Sequence, residues 1–204
     1  MSAGPVNRPD TRDPVYTARL RAEGGVWWKR LLRVQAPYGW NLRRLEPGFT
    51  LDIGCGIGRN LAHLRGHGIG IDHNADSVAA ARARGFEAFT PEEFRGSSYD
   101  RPGRFDSLLL SHVAEHMTHA QLIGTLRAHI GHLKPGGKVI FITPQERGYR
   151  SDPTHVRFLD FEDLREAAGE TGLALVRESS FPFPRFAGRW FAYNEFVSVS
   201  VKPR

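Results

Sequence analysis

Three glycines that follow a short apolar run are the first residues in this sequence whose types and spacing could do chemistry. Gly54, Gly56 and Gly58 come directly after the run at 49–53, and Asp52 lies just before them. Glycine lets the backbone turn tightly from a strand into a helix and approach a ligand closely. Ligands of open α/β sheets bind at the carboxyl ends of the strands, where such a turn lies. We therefore predict a ligand-binding loop here, with a turn that binds nothing as the alternative.

The charges around this loop indicate which ligand it binds. Asp72 follows Asp52 by 20 residues, at the end of the next apolar run. This spacing suits a carboxylate that binds a ribose diol. A dinucleotide-binding G-x-G-x-x-G motif would have its third glycine at position 59, which is Arg59. A carboxylate beside the loop favours a cationic ligand group over a pyrophosphate. Together these features favour S-adenosylmethionine, which carries an ammonium and a sulfonium, over a nicotinamide dinucleotide.

A second group of ionisable residues follows the apolar run at 105–110. His112, Glu115 and His116 match the H-x-x-E-H pattern of some zinc peptidases. In a helix the two histidines would share one face, as two zinc ligands do. The segment directly follows a buried strand of a sheet that already has a nucleotide-type loop, so we predict no metal. Glu115 and His116 are instead candidates for a general base.

A further candidate base lies in the segment 144–159, which follows the next predicted strand. His155 is placed there at the carboxyl end of the predicted sheet. An imidazole titrates near neutral pH, so His155 can take a proton from an attacking hydroxyl. In the alternative interpretation the histidine only holds its loop by hydrogen bonds. The predicted catalytic residues are thus His155, His116 and Glu115.

The elements that must position these residues alternate along the chain. Short apolar runs predict strands, and periodic or alanine-rich segments predict helices. Asp160, with Asp163 three residues later, predicts the start of the last helix. The alternation predicts a mostly parallel sheet with helices on both faces and an antiparallel pair of strands at one edge. The predicted strands are 49–53, 69–71, 86–89, 105–110, 139–143, 173–177 and the edge strand 191–201; the predicted helices are 59–65, 75–84, 121–133 (closed by 134–137) and 160–172.

Four segments, in their order and spacing, resemble the Rossmann-like (class I) S-adenosylmethionine-dependent methyltransferases. They are LDIGCGIGRN, GIGIDHN, FDSLLLSHVAEHM and LKPGGKVIFITP, and the resemblance covers about residues 48–178. It implies an α/β fold with a seven-stranded, mostly parallel sheet and an antiparallel edge hairpin. It also implies that the chain transfers the methyl group of S-adenosylmethionine.

The same resemblance implies roles for individual residues. Asp52 would lie beside the cationic end of the cofactor, and the loop at 54–58 would pack against its methionine part. The family often has an acidic residue directly after the third strand, where this sequence has Phe89-Thr90-Pro91-Glu92, so the adenine contact stays open. The implied cofactor-binding residues are Asp52, Gly54, Cys55, Gly56 and Gly58, then Asp72 on the ribose with His73 beside it, then Ser111 and His112 beside the sulfonium.

Length and charge complete the expected organisation. The 204 residues suit one domain, which we divide into a flexible tail (1–14), an N-terminal helical lid (15–47) and a Rossmann-like core (48–204). The net charge is +6, and residues 1–50 contain nine basic and four acidic residues, so most of the excess lies in the tail and lid. The WWKR segment there resembles the cofactor-covering helix of quinone-biosynthesis O-methyltransferases. In the alternative interpretation its tryptophans only pack that helix onto the sheet.

Composition limits where the protein works. The longest apolar runs are a few residues, against the ~20 that a membrane span needs. The start of the sequence does not have the pattern of a signal peptide, and the single cysteine excludes an internal disulfide. We expect a cytoplasmic protein that is a monomer or a homodimer.

The predicted reaction is methyl transfer to an oxygen of a small-molecule acceptor, such as a lipid, quinone, polyketide or sugar intermediate. No separate substrate domain fits in the remaining length. Seven aromatic residues near the end are candidates for the wall of an apolar acceptor pocket, or else for core packing: Phe158, Phe161, Phe181, Phe183, Phe186, Trp190 and Phe191.

Two other functions stay open. An RNA methyltransferase is one alternative, because basic residues interleaved with tryptophans can bind single-stranded RNA. Against it, Ser111-His112-Val113 lacks the Asn/Asp-Pro-Pro-aromatic motif of the enzymes that methylate amino groups of bases. A regulatory protein that binds the cofactor without catalysis is the other alternative.

Overall fold

The structure is a computed structural model that describes the chain from Trp28 to Arg204, with side chains from Ala36 onward. The predicted tail and the part of the predicted lid before residue 28 lie outside the described residues. The helices are α1 (Trp28–Arg44), α2 (Arg59–His63), α3 (Ala75–Ala83), α4 (Pro91–Arg95), α5 (His119–His129), α6 (Glu146–Tyr149) and α7 (Phe161–Glu170). The strands are β1 (Thr50–Ile53), β2 (Gly68–Ile71), β3 (Ala88–Phe89), β4 (Phe105–Ser111), β5 (Leu133–Pro144), β6 (Ala174–Phe181) and β7 (Glu195–Val201).

All seven strands form one sheet in the order β3-β2-β1-β4-β5-β7-β6. Strands β1 to β5 are parallel, and β7 runs antiparallel to both of its neighbours. Ile53 pairs with Ile71 on one side and with Leu110 on the other, so β1, β2 and β4 end side by side. Glu195 pairs with Pro144 and therefore lies at the same edge. This architecture confirms the predicted α/β fold class.

Each face of the sheet carries its own apolar cluster. On one face Leu108 and Leu110 pack with residues of α5 and α7, such as Leu126 and Leu164. On the other face Leu109 packs with residues of α1, α2 and α3. Because helices cover both faces, the central strands are apolar on both sides and appear in the sequence as uninterrupted apolar runs. No helix within residues 28–204 is long and apolar enough to cross a membrane.

Side-chain caps fix where several helices begin. The Asp160 carboxylate accepts from the Asp163 backbone N–H while the Asp163 side chain accepts from the Asp160 N–H, so the predicted capping box of α7 is confirmed. Thr90 and Thr118 form the same arrangement at α4 and α5. Helix α4 was absent from the sequence prediction. It has one and a half turns, too few for a periodic pattern, and its capping box is the sequence feature that could have revealed it.

The prediction of an edge strand at 191–201 is wrong in position and in extent. Strand β7 begins at Glu195, lies between β5 and β6, and leaves the edge to β6. Its alternation of serine and valine suggested one exposed face, yet Ser198 and Ser200 are fully buried. Serine is small enough to lie beneath covering elements on both faces of the sheet. Alternation of small polar and apolar residues therefore does not distinguish an edge strand from an inner one here.

The boundary between α5 and β5 also differs from the prediction. We expected 134–137 to close a helix and the strand to begin at Val139, but α5 ends at His129 and a 3₁₀ turn leads to β5 at Leu133. Leu133 already pairs with Phe105, and Lys138 pairs with Ser107. The register shifts between these two pairs, which accommodates residues 134–137 of β5.

A pair of glycine substitutions tests the closeness of β1 and β2. A Cβ on Gly68 would lie 2.6 Å from the carbonyl oxygen of Thr50, whereas a Cβ on Gly124 in α5 meets nothing within 4 Å. Urea denaturation should show that Gly68→Ala lowers the free energy of unfolding by about 1–3 kcal/mol. Gly124→Ala should raise it by about 0.5–1 kcal/mol, because alanine favours helix. Equal stabilities of the two variants would contradict this strand packing.

Candidate active site

The loop between β1 and α2 is tied to the end of β2. The backbone N–H groups of Gly54 and Cys55 both donate to the carbonyl oxygen of Ile71. Gly54 and Gly58 have positive φ angles, and a Cβ on either would clash, with Val113 and Phe86 respectively. Gly56 also has a positive φ, but a Cβ there would meet nothing within 4 Å. Packing therefore explains the outer two glycines, while the middle one borders open space that a ligand can fill.

Cys55 contributes to this loop through its backbone. Its side chain is buried, and its sulfur lies against Gly70 of β2. Burial, followed by the nearby charges of Asp52 and Asp72, raises the pKa of the thiol well above its usual range. The thiol is therefore neutral and is not a nucleophile at physiological pH.

Asp72 closes the loop from the end of β2. One carboxylate oxygen accepts from the backbone N–H of Gly56 at 2.8 Å, and the other accepts from that of Asn74 at 2.9 Å. His73 lies beside it, with Nδ1 3.8 Å from Oδ1 of Asp72. The two backbone bonds hold the carboxylate in one orientation next to the open space at Gly56. The structure thus brings Asp72, His73 and the loop together as predicted, and their contacts with a cofactor stay a prediction.

Asp52 lacks a complete set of partners. Its side chain is fully buried, Oδ1 accepts a long bond of 3.4 Å from the Asn60 amide, and Oδ2 has no partner among the described residues. Burial raises the pKa of this carboxyl to about 8. A buried carboxylate without a partner is costly, so a bound cation would stabilise it. The site therefore fits S-adenosylmethionine, whose methionine part carries the cationic ammonium.

A small cleft opens beside this loop. Helix α1 forms one wall, α2 another, and the residues after β4 the floor. The lining residues are Tyr38, Asn41, Leu42, Arg59, Asn60, His63, Ser111, His112, Ile142 and Glu195. The cleft thus includes two predicted cofactor-binding residues, Ser111 and His112. That α1 acts as a lid over the cofactor stays a prediction.

His112 lies between two buried carboxylates. Its Nε2 is 2.8 Å from Oε1 of Glu195, and its Nδ1 is 3.4 Å from Oε1 of Glu115. Burial disfavours its charged form, but the contacts with the two carboxylates outweigh that effect and raise the pKa of His112 above its usual range. About half of the ring is exposed, so it faces the cleft as an imidazolium. His112 cannot act as a base at neutral pH.

Glu195 is a site residue that sequence reasoning missed. It is the first residue of β7 and belongs to no motif, and only the pairing of β7 with β5 brings it to the cleft. Burial raises the pKa of its carboxyl, and the contact with His112 opposes that shift. The two groups therefore form an ion pair, with the carboxylate buried and the imidazole half-exposed, that links the end of β4 to β7. An acidic residue at the start of an otherwise apolar strand was the available indication.

The H-x-x-E-H segment does not form the helix that a zinc-peptidase pattern requires. Residues Ala114–His116 form one 3₁₀ turn, and His112 has a positive φ of 56°. His112 contacts Glu195, whereas Nδ1 of His116 lies 3.2 Å from the carbonyl oxygen of Thr154. The two histidines therefore bind different groups and do not share one helix face.

A different trio of side chains converges behind His112. Ligand atoms of Glu115, His116 and His155 lie within 4.8 Å of one another. One carboxylate and two imidazoles can hold a divalent cation. The absence of a metal from this protein therefore stays a prediction, which metal analysis of the purified protein tests.

The predicted catalytic residues are this same trio. Nδ1 of His155 lies 2.7 Å from the carbonyl oxygen of Tyr149. A carbonyl only accepts, so Nδ1 of both histidines carries the proton and Nε2 is the proton acceptor. Nε2 of His155 is 3.9 Å from Oε1 of Glu115, whose carboxylate is fully buried and makes no hydrogen bond to the described residues. Burial lowers the pKa of His116, which keeps it neutral. Both imidazoles can therefore accept a proton, although neither lines the cleft itself.

The seven predicted aromatic residues lie in three different places. Phe158 and Phe161 pack edge-on against Phe196, in the core. Phe181 packs against Tyr38 of α1. The remaining four belong to the connection between β6 and β7, and three of them, Phe183, Phe186 and Trp190, are exposed. None of the seven lines the cleft described above.

Comparisons with known proteins agree with this geometry. A methyltransferase domain family matches residues 28–178. A ubiquinone biosynthesis O-methyltransferase from Methylobacterium nodulans is 26% identical over 171 residues, which are 72% of this chain and 68% of that protein. The structure of a SAM-dependent methyltransferase from Archaeoglobus fulgidus aligns with a TM-score of 0.64 at 18% identity, covering 93% of this chain and 100% of that one. Magnesium protoporphyrin IX methyltransferase from Synechocystis PCC 6803, solved with bound SAH, aligns with a TM-score of 0.63 at 16% identity, covering 95% and 97%.

The family match spans the glycine loop, Asp72, the turn after β4 and the predicted catalytic trio. The chain belongs to the methyltransferase domain family, which confirms the class I, S-adenosylmethionine-dependent family predicted from its motifs.

Proposed function

We propose that this chain transfers the methyl group of S-adenosylmethionine to an oxygen nucleophile of a small-molecule acceptor. The observation that supports it most strongly is the buried, incompletely paired carboxyl of Asp52 in β1, the strand that leads into the glycine loop. A cationic donor satisfies such a carboxyl, whereas a nucleotide pyrophosphate would be repelled by it. The adjoining cleft, where an acceptor would approach the donor, is lined by Ser111 and His112.

The chain's own residues bind and orient the donor. Bound S-adenosylmethionine supplies a methyl group that is already activated by the sulfonium. Asp52 binds the ammonium, and Asp72, held by two backbone N–H groups, orients the ribose. Positioning and exclusion of water then provide most of the rate, because the leaving group needs no protonation.

Methylation of a hydroxyl oxygen requires a group that accepts the hydroxyl proton. Nε2 of His116 or of His155 takes that proton, since the Nδ1 positions of both rings are occupied by backbone carbonyls. Glu115, 3.9 Å from Nε2 of His155, stabilises the imidazolium that forms there. His112 is already charged and stays outside this proton transfer.

The relatives support one class of acceptor. The curated proteins that this chain resembles are ubiquinone biosynthesis O-methyltransferases, at 26% and 27% identity. We infer that the acceptor carries a hydroxyl on a quinone precursor or a chemically similar metabolite. No observation within residues 28–204 favours the RNA or the purely regulatory alternative.

The base assignment is tested by replacing each histidine with glutamine. His116→Gln and His155→Gln should each lower kcat, and the variant of the true base should lose about 10²-fold and the acidic limb of its pH profile. His129→Gln is the matched control, because His129 also contacts a backbone carbonyl through Nδ1 but lies on α5. Turnover of radiolabelled donor with a panel of phenolic acceptors measures the effect. Full activity in both variants would refute the assignment.

The role of Asp52 is tested by the pH dependence of donor binding. Its carboxyl has a pKa of about 8, so it is largely protonated at lower pH and must lose a proton to bind an ammonium. The affinity for S-adenosylhomocysteine, which keeps the ammonium, should rise as the pH approaches about 8 and then level off. Calorimetry in buffers of different ionisation enthalpy should show that binding at lower pH releases a proton.

The matched variants sharpen this test. Asp52→Asn should weaken binding and remove both the pH slope and the proton release. Asp76→Asn, a change to an exposed acidic residue in the first turn of α3, should keep both. An unchanged slope in Asp52→Asn would show that another group titrates.

A further inference from the structure

The connection between β6 and β7 presents four large aromatic side chains to solvent. Phe183, Phe186, Trp190 and Tyr193, here called the aromatic rim, are 50%, 64%, 71% and 62% exposed. Aromatic side chains of this size are normally buried over much of their surface. A group of exposed ones within eleven residues indicates an interaction surface.

The rim is held firmly by buried polar groups beneath it. Asn194 is fully buried; its amide donates to Oε1 of Gln145, and its Oδ1 accepts from the backbone N–H of Phe183. Gln145, also fully buried, donates to the carbonyl oxygen of Glu195. These bonds fix the base of the connection to β5 and β7. The exposure of the aromatic side chains is therefore a property of an ordered structure.

Positive charge surrounds the rim. Residues 145–150 and 182–193 contain four arginines and one acidic residue, Glu146, which pairs with Arg185. Arg147, Arg150 and Arg189 are exposed and form no ion pair within the described part of the chain. Helix α6, which carries Arg147 and is followed by Arg150, packs against the connection at Gly148 and Ala192.

The rim also borders the cleft. Tyr38 lines the cleft, and its hydroxyl donates a hydrogen bond of 2.7 Å to the carbonyl oxygen of Tyr193. Glu195, another lining residue, comes two positions after Tyr193. Whatever binds the rim therefore lies beside the mouth of the cleft.

We propose that the aromatic rim and its arginines dock this protein on the surface of an anionic phospholipid bilayer. Tryptophan, tyrosine and phenylalanine insert at the boundary between headgroups and acyl chains, and arginines are attracted to anionic headgroups. Docking of this kind is peripheral. It places the cleft mouth at the lipid surface, where an apolar acceptor can enter it.

The charges favour a lipid surface over a second copy of the chain. In a two-fold dimer the same patch meets itself, so the exposed arginines of one copy would approach those of the other. An anionic bilayer instead complements both the aromatic and the cationic parts of the surface.

Vesicle binding tests the proposal without any turnover, so its failure is distinguishable from failure of the proposed reaction. The full chain is mixed with vesicles of phosphatidylcholine, with and without phosphatidylglycerol, and is followed by co-sedimentation and tryptophan fluorescence. We expect binding to the anionic vesicles that weakens as salt rises, and at least roughly tenfold weaker binding to neutral ones. The triple variant R147Q/R150Q/R189Q should lose this preference.

A double substitution tests the aromatic contribution. F186S/W190S should weaken binding to anionic vesicles by at least about tenfold, with an unchanged melting temperature because both side chains are exposed. Val176→Ser is the control: it removes an apolar side chain that is 62% exposed on the edge strand β6. Its binding should equal that of the unmodified chain.

Three outcomes would overturn the proposal. The first is binding of F186S/W190S equal to that of the unmodified chain, and the second is no binding to either kind of vesicle. The third is a dimer, seen by light scattering, that F186S/W190S abolishes, which would assign the rim to self-association.

Discussion

Three acidic side chains are buried at the same edge of the sheet. The functional arrangement depends on which positively charged or hydrogen-bonding partner each carboxyl group has. Asp52 lies near the end of β1, Glu115 follows β4 and Glu195 begins β7; the first two are fully buried and the third nearly so. Glu115 and Glu195 share the imidazolium of His112. Asp52 has only a long bond from Asn60. Among the described residues, Glu195 thus has a hydrogen-bonded partner in His112, whereas Glu115 and one oxygen of Asp52 make no hydrogen bond.

An incompletely paired carboxyl suits a cationic donor, because a bound cation stabilises its ionised form. Methyl transfer removes the sulfonium charge, so the attraction between the site and the thioether product is weaker than that for the donor. The ammonium is present in both molecules, and we propose that it stays paired with Asp52. In this proposal the electrostatics favour loading of the charged donor, and the carboxylate of Asp72, held by two backbone N–H groups, binds donor and product in the same place.

The sequence was sufficient for the features that depend on local structure. The glycine loop, Asp72 and the capping box of Asp160 could be predicted because each is a short pattern whose geometry is set by the backbone around it. The three predicted catalytic residues also lie together, because the segment before His155 docks on the turn that contains Glu115 and His116. Their chemical roles stay predictions.

Features that depend on contacts between distant segments could not be predicted. Glu195 reaches the cleft only through the pairing of β7 with β5, and the buried serines of β7 give the strand the pattern of an edge. His112 adopts a positive φ angle, which could not be predicted from its residue type. The phenylalanines at 158 and 161 are partly buried and pack against the core, while those at 183 and 186 stay exposed, and no periodicity separates the two groups.

A crystal structure of the chain with S-adenosylhomocysteine tests the central claim most directly. We predict that the ammonium is hydrogen-bonded to Asp52, directly or through one ordered water, at about 2.7–3.2 Å per bond. The ribose hydroxyls should contact Asp72, and the thioether sulfur should face Ser111 and His112. An ammonium turned away from Asp52, with that carboxyl still lacking a partner, would contradict the account.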